Sequence, residues 1–267
     1  MSATYETLLV ETAGAVCTVT LNRPDSLNSL NNTMTAELAK VVQELRRDPQ
    51  VRCVVLTGTG RAFSSGQDLG ELKIKYSNPE RALDLAEELR RRYNPIITGL
   101  RDLEKPVLAA VNGVAAGAGL SLALACDLRI ASEKASFIEA FVNVGLVPDS
   151  AATFFLPRLV GLGKALEMCF TGEKVSAADA LSFGLVNKVV AADDLMKATQ
   201  ELATRLAKLP TQAIGLMKGL LYRSFDSDLD HQLEAEALAQ EIAGATADHR
   251  EGVLAFFDKR PPSFRGK

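Results

Sequence analysis

The chain has 267 residues, 47% of them hydrophobic and 24% charged, enough to bury a substantial core in one large domain or two small ones. A formal net charge of −3 gives no electrostatic reason to bind nucleic acid or an anionic membrane surface. No stretch approaches the ~20 apolar residues that span a bilayer, and Met1-Ser2-Ala3-Thr4-Tyr5-Glu6 has no basic region leading into an apolar run, so the expected location is the cytoplasm.

Leu8-Leu9-Val10 and Val16 to Leu21 flank Ala13-Gly14 and predict two strands joined by a hairpin-like turn, with Asn22-Arg23-Pro24 ending the second. From Met34, the apolar residues Leu38, Val41, Val42 and Leu45 fall at helical spacing, and Asp48-Pro49 stops that helix before the buried strand Cys53 to Thr57. A long helical region follows over residues 79 to 103, in which Arg90-Arg91-Arg92 reads as a solvated face with Glu87-Glu88 nearby. Lys105-Pro106 leads into the strand Val107 to Asn112, a Gly-rich turn and a helix, then the short strand Leu128 to Ala131. From about Asp193 the chain is helical, punctuated by Pro210 and Pro261-Pro262. Alternating strands and helices imply an α/β fold with largely parallel pairing, divided into a core over 1–195 and a helical region over 196–267.

Four cysteines, Cys17, Cys53, Cys126 and Cys169, lie far apart with no C-x-x-C pair and read as free thiols in a reducing compartment. Phosphate-binding motifs fail residue by residue. Gly58-Thr59-Gly60 has Phe63 where a dinucleotide fingerprint needs glycine, and Gly163-Lys164 has Arg158 where a P-loop needs its first glycine. Gly119-Leu120-Ser121-Leu122-Ala123 misses a nucleophile elbow by one residue, and the only histidines, His231 and His249, lie in polar parts of the helical tail. No carboxylate, histidine or cysteine spacing suggests a metal site.

Two segments share one physical form, a buried strand, a glycine-containing turn and a helix: Val54 to Asp68 and Val107 to Ala125. If their turns converge, one backbone N–H from each can hold the same oxygen as negative charge develops on it. Close helix packing is the other reading of Gly117-Ala118-Gly119. Asp149, a lone carboxylate in Gly145-Leu146-Val147-Pro148-Asp149-Ser150, has two readings as well: a general base, or the N-cap of a helix beginning near Ser150.

Several ordered motifs together resemble the enoyl-CoA hydratase/isomerase (crotonase) superfamily over nearly the whole chain. They are Asn22-Arg23-Pro24-Asp25-Ser26-Leu27-Asn28-Ser29-Leu30, Gly60 to Leu69, Lys105-Pro106 through Ile130, Thr171-Gly172, Ala177 to Ala180, Gly184-Leu185-Val186 and Glu251 to Phe256. The resemblance implies a spiral of repeated β-β-α units with a carboxy-terminal helical region at subunit contacts, a homo-trimer or hexamer, and an acyl-CoA thioester substrate. It implies no metal and no cofactor beyond the coenzyme A of the substrate. By motif position, the oxyanion N–H groups are those of Gln67 and Ala118, with Gly66, Gly117 and Gly119 permitting the backbone approach. By the resemblance the CoA arm lies along Ser26, Leu27, Ser64, Asp68 and Leu69, and Lys259 reaches the nucleotide phosphates, those of a neighbouring subunit included; a surface lysine is the other reading of Lys259.

The resemblance also locates a departure. Hydratases of the family carry two glutamates that activate water, and those positions here are Ser121 and Phe141, neither of which is a general base. Glu139, two residues before Phe141, is a secondary candidate. The segment around Asp149 resembles the enoyl-CoA isomerase branch, which includes the 1,2-epoxyphenylacetyl-CoA isomerases. The expectation is therefore an acyl-CoA isomerase with Asp149 as its single proton-transferring carboxylate, acting on 1,2-epoxyphenylacetyl-CoA or on 3-enoyl-CoA to give 2-enoyl-CoA. The alternatives are a 2-enoyl-CoA hydratase, a carboxylate-dependent dehalogenase and a non-catalytic acyl-CoA-binding subunit.

Overall fold

A computed structural model describes residues 4–76 and 84–267. Strands β1 (Leu8–Ala13) and β2 (Val16–Leu21) form the expected hairpin, antiparallel with Leu8 opposite Leu21 and Ala13 opposite Val16. Helix α1 (Asn32–Arg47) is capped by Asn31, whose side chain accepts from the Met34 N–H at 2.8 Å; such a cap is worth ~1 kcal/mol. The helix buries Met34, Leu38, Val41, Val42 and Leu45, each contributing about 1.5–3 kcal/mol of hydrophobic stabilisation.

The middle of the chain is a spiral in which each turn places one strand in each of two sheets. β3 (Cys53–Gly58), β5 (Val107–Val111) and β7 (Leu128–Ser132) pair in parallel in the first sheet. β4 (Ala62–Ser64), β6 (Val114–Ala116) and β8 (Ser136–Ile138) do the same in the second. β9 (Val175–Ser176) closes the second sheet and β10 (Lys188–Val190) the first, giving the orders β1-β2-β3-β5-β7-β10 and β4-β6-β8-β9. The strands of the second sheet are so short that periodicity did not reveal them; the expected β-β-α repeat accounts for them.

Between the strands run α2 (Leu69–Tyr76), α3 (Leu85–Glu88), a π-helical turn over Leu89–Tyr93 and α4 (Asn94–Arg101). Of the long helical region expected over residues 79 to 103, the part at 79–83 lies outside the described residues. Arg92 departs from the expected solvated face: it is buried, paired with Glu88 at 2.7 Å and close to Glu71 at 3.7 Å. The π-turn rotates it inward.

The remaining helices of the spiral are α5 (Ala118–Leu124), α6 (Ala152–Val160), α7 (Leu162–Thr171) and α8 (Ala177–Ser182). Helix α9 (Leu195–Ala207) lays Leu195, Ala203 and Ala207 on Val16, Cys53, Val55, Leu108, Ala110 and Ile130 of the first sheet. The division expected after residue 195 therefore cuts into α9, which is a core helix. The helices that extend past the sheets are α10 (Thr211–Arg223), α11 (Leu229–Gly244) and α12 (Ala247–Phe257). They are tied to the core by a buried contact of Lys218 Nζ with Asp127 at 3.0 Å and with the Leu100 carbonyl at 3.1 Å. Among the described residues no helix is long and apolar enough to cross a membrane.

Candidate active site

The two glycine-containing turns converge. The Gly66 carbonyl accepts from the Leu30 N–H at 2.8 Å. In a planar trans peptide the N–H points opposite to the C=O, so the Gln67 N–H faces away from Leu30. A Cβ built on Gly66 would lie 2.7 Å from the Ala116 carbonyl oxygen and 3.3 Å from the Ala118 nitrogen, which brings the two turns into direct contact. Ala118 is the first residue of α5, where backbone N–H groups have no partner within the helix. Neither the Gln67 nor the Ala118 N–H has an acceptor among the described residues. Gly66 and Gly117 both have positive φ, +87° and +50°, and so turn the chain where a side chain is disfavoured. At Gly119 a Cβ would meet the Ser64 carbonyl oxygen at 2.5 Å, so close packing requires a glycine there.

Asp149 lies in the segment between the short 3₁₀ helix over Ala140–Val144 and α6. It does not cap α6: the residue at the N-cap position is Ala151, and no side chain caps the helix. Among the described residues the Asp149 carboxyl accepts only from the Ser150 hydroxyl, at 2.8 Å. Burial raises its pKa above the ordinary carboxylate value, and the Ser150 hydrogen bond partly offsets that rise. Ser150 and Ala151, with φ of +50° and +64°, make an αL turn immediately after it, a costly conformation of the kind that clusters at functional sites. The single proton of Ser121 Oγ is shared between the Asp149 carbonyl at 3.1 Å and the Gly117 carbonyl at 3.3 Å, linking the Asp149 segment to the turn at Gly117.

Asp149 is half-buried, and two buried groups flank it. Glu139 has no exposed surface and neither of its carboxyl oxygens has a hydrogen-bond partner among the described residues. Burial, and then the charge of Asp149, push its pKa up to about 8. Tyr93, which ends the π-turn, is buried with an unpartnered hydroxyl. Burial raises its pKa, Arg92 opposes that rise, and Asp149 adds to it. Sequence reasoning did not single out Tyr93, because the three arginines before it suggested a surface helix.

The residues expected along the CoA arm form one cluster. Ser65 N donates to the Leu27 carbonyl at 2.9 Å and Asp68 N to the Leu30 carbonyl at 3.3 Å, lacing the loop of Ser26 and Leu27 to the segment from Ser64 to Asp68. Leu69 is exposed beside it. Ser64 needs correction: its side chain is fully buried, and its hydroxyl donates to the Asn28 carbonyl at 2.8 Å and accepts from the Gly66 N–H at 3.2 Å. It shapes the oxyanion turn and has no surface to offer a ligand. The Asp68 carboxylate is paired with Arg23 at 2.8 Å. Burial pushes its pKa up, but hydrogen bonds from Arg23, Ser29 and the Gly70 N–H outweigh that and hold it below the ordinary value. Lys259 follows α12, is exposed, and makes no contact with this cluster in the described chain.

The profile of the enoyl-CoA hydratase/isomerase family matches residues 11–267. The chain belongs to that family. It is 44% identical over 262 residues to the 1,2-epoxyphenylacetyl-CoA isomerase of Escherichia coli (strain K12), covering 98% of this chain and 99% of that one. It is 37% identical to the short-chain-enoyl-CoA hydratase of Clostridium acetobutylicum, covering 95% of each. The enoyl-CoA hydratase structure from Bacillus anthracis superposes with a TM-score of 0.92 at 33% identity, covering 98% of this chain and 100% of that one. Both activities of the family therefore occur among proteins similar to this one, and the residues around Asp149 bear on which applies.

Proposed function

We propose that this enoyl-CoA hydratase/isomerase family enzyme is an acyl-CoA isomerase whose base is Asp149. The observation that carries this reading is the desolvated Asp149 carboxyl, linked through Ser121 to a turn with two free amides, while the hydratase positions hold Ser121 and Phe141. With a 3-enoyl-CoA, Asp149 takes a proton from C2 and the electron pair moves onto the thioester oxygen. The Gln67 and Ala118 N–H groups stabilise that oxyanion. The dienolate then takes the proton back from Asp149 at C4, the C2–C3 double bond forms, and the carboxylate is regenerated. With 1,2-epoxyphenylacetyl-CoA, the related event opens the three-membered ring towards the seven-membered oxepin.

Ser26, Leu27, Asp68 and Leu69 are proposed to border the CoA arm through backbone and exposed surface, with Lys259 reaching it from another subunit. The exposed Leu221, Phe225, Leu229, Phe256 and Phe257 on and between the carboxy-terminal helices support assembly as a homo-trimer or hexamer, since apolar patches of this kind are usually covered. The reaction as written calls on no coenzyme beyond that of the substrate. The buried thiols of Cys17, Cys53 and Cys126 support a cytoplasmic location.

The test is Asp149→Asn, assayed on 1,2-epoxyphenylacetyl-CoA, a straight 3-enoyl-CoA and a straight 2-enoyl-CoA. Loss of isomerisation and of C2 hydrogen exchange, with binding of the CoA ester retained, is the expected outcome. Near-normal turnover by the variant overturns the assignment, and wild-type conversion of the 2-enoyl ester mainly to a 3-hydroxy product makes the enzyme a hydratase.

A further inference from the structure

The carboxyl of Glu139 has no use in the reaction written above, yet it lies at the site. The β6–β8 register pairs Ala116 with Ile138, and the Gly117 N–H donates to the Ile138 carbonyl at 2.9 Å. Glu139 thus adjoins the residue that precedes the oxyanion donor Ala118. Ser121 joins that same Gly117 to Asp149, so the two acids bracket one helix amino terminus. Glu139 is wholly buried and both of its oxygens lack a partner among the described residues. An ionised carboxylate in that condition is strongly disfavoured, and a second negative charge beside Asp149 compounds the cost.

We infer that Glu139 sits in this site as a neutral carboxylic acid beside Asp149, a positioning residue whose uncharged state lets the negative charge pass from Asp149 to the thioester oxygen. The inference rests on the reading of Asp149 and the two amides given above. As the proton leaves the substrate, Asp149 becomes neutral and the charge moves to the oxygen held by Gln67 and Ala118. With Glu139 neutral the site holds one negative charge throughout. With Glu139 ionised it holds two, the second an unpartnered buried charge in a site that must also take the oxyanion.

Other titrating groups around the pair do not mask the effect. Cys169 on α7 faces Glu139, and burial pushes its thiol up to about 11; Tyr93 faces Asp149 and titrates higher still. Glu139 ionises first as pH rises, at about 8.

The test compares pH profiles of kcat/KM for wild type and Glu139→Gln, on whichever acyl-CoA the wild type converts best, between pH 6 and 10. The wild-type rate is expected to fall about tenfold or more through the region near 8, and the Gln variant to lack that fall. Superimposable profiles overturn the inference. Because a purely structural loss lowers the rate equally at every pH, an infrared difference spectrum of the wild type minus Glu139→Gln provides a second reading. A protonated carboxyl band at neutral pH that disappears in the variant supports the inference, and its absence from the wild type refutes it. Failure of the Asp149 assignment shows separately, as activity in Asp149→Asn.

Discussion

Ser121 Oγ reaches from α5 to the main-chain carbonyl of Asp149, 3.1 Å away. At the position where family hydratases carry a water-activating glutamate, this enzyme has a short hydroxyl that fixes the loop carrying a different acid. Ser121→Ala removes one neutral hydrogen bond, worth about 0.5–1.5 kcal/mol. It also frees the Asp149 backbone to shift relative to Gly117. The expected result is a several-fold lower kcat with KM for the acyl-CoA little changed. An unaltered kcat means the hydroxyl serves packing alone.

Asp149 must be ionised to take a proton, so kcat/KM rises with pH through its titration. Burial places that titration above the ordinary carboxylate value of 3.8, and the Ser150 hydroxyl restrains the rise. The acid limb of the pH profile therefore has its midpoint above the ordinary value, and Ser150→Ala moves it higher because the carboxylate loses its one donor. A midpoint that falls in the Ser150 variant contradicts this account of the site.

Gly66 and Gly117 both have positive φ but differ in their surroundings. A methyl group on Gly66 meets the Ala116 carbonyl oxygen at 2.7 Å, whereas on Gly117 the nearest atoms are ring carbons of Phe141 at 3.8 Å. Gly117, at φ +50° and ψ −126°, lies outside the αL region as well as the common ones, so Gly117→Ala costs about 1–3 kcal/mol of backbone strain. Gly66→Ala costs more and pushes the Gln67 and Ala118 amides apart, so its kcat falls by about 10²-fold or more, the usual effect of losing an oxyanion donor. Equal activities in the two variants argue against a shared oxyanion site.

Lys218 holds the carboxy-terminal helices through a charge that is 8% exposed on the side chain and 3.0 Å from Asp127. Asp127 also accepts from the Tyr222 hydroxyl and the Val107 N–H, each at 2.8 Å. Lys218→Met leaves the carboxylate with those two donors and without its salt-bridge partner. Chemical denaturation is expected to show a loss of about 3 kcal/mol, the lower end of the range for breaking a buried pair. The double variant with Asp127→Asn recovers part of it. Catalysis by the folded enzyme is expected to be unchanged.

Much of the fold was legible because its signals are local. Apolar runs bounded by turn residues marked β1 to β3, the stretch from Met34 to Leu45 marked α1, and Lys105-Pro106 marked the entry to β5. The second sheet was not legible from periodicity, since a three-residue strand such as Ala62–Ser64 completes no recognisable pattern. Of the site, the glycines and the isolated Asp149 stood out because their backbone and charge requirements are written in residue type. Tyr93 was hidden by a π-turn that rotates its helix face inward. The accessibility of Ser64 was misjudged because motif position says where a residue lies and not which way its hydroxyl points.

Glu139 also makes a prediction about stability, independent of catalysis. In the unfolded chain it titrates near the ordinary value of 4.5, and in the folded protein at about 8. Between these values the folded state keeps a proton that the unfolded state has lost, so stability falls as pH rises through the window and levels off above it. The contribution is fully present below the unfolded value and is lost as pH passes the folded one. Glu139→Gln has no such slope. The difference in unfolding free energy between variant and wild type, from urea titrations at pH 4 to 9, should therefore grow in the variant's favour with pH by an amount on the order of a few kcal/mol. A difference that stays constant across that range shows that Glu139 carries no bound proton in the native enzyme.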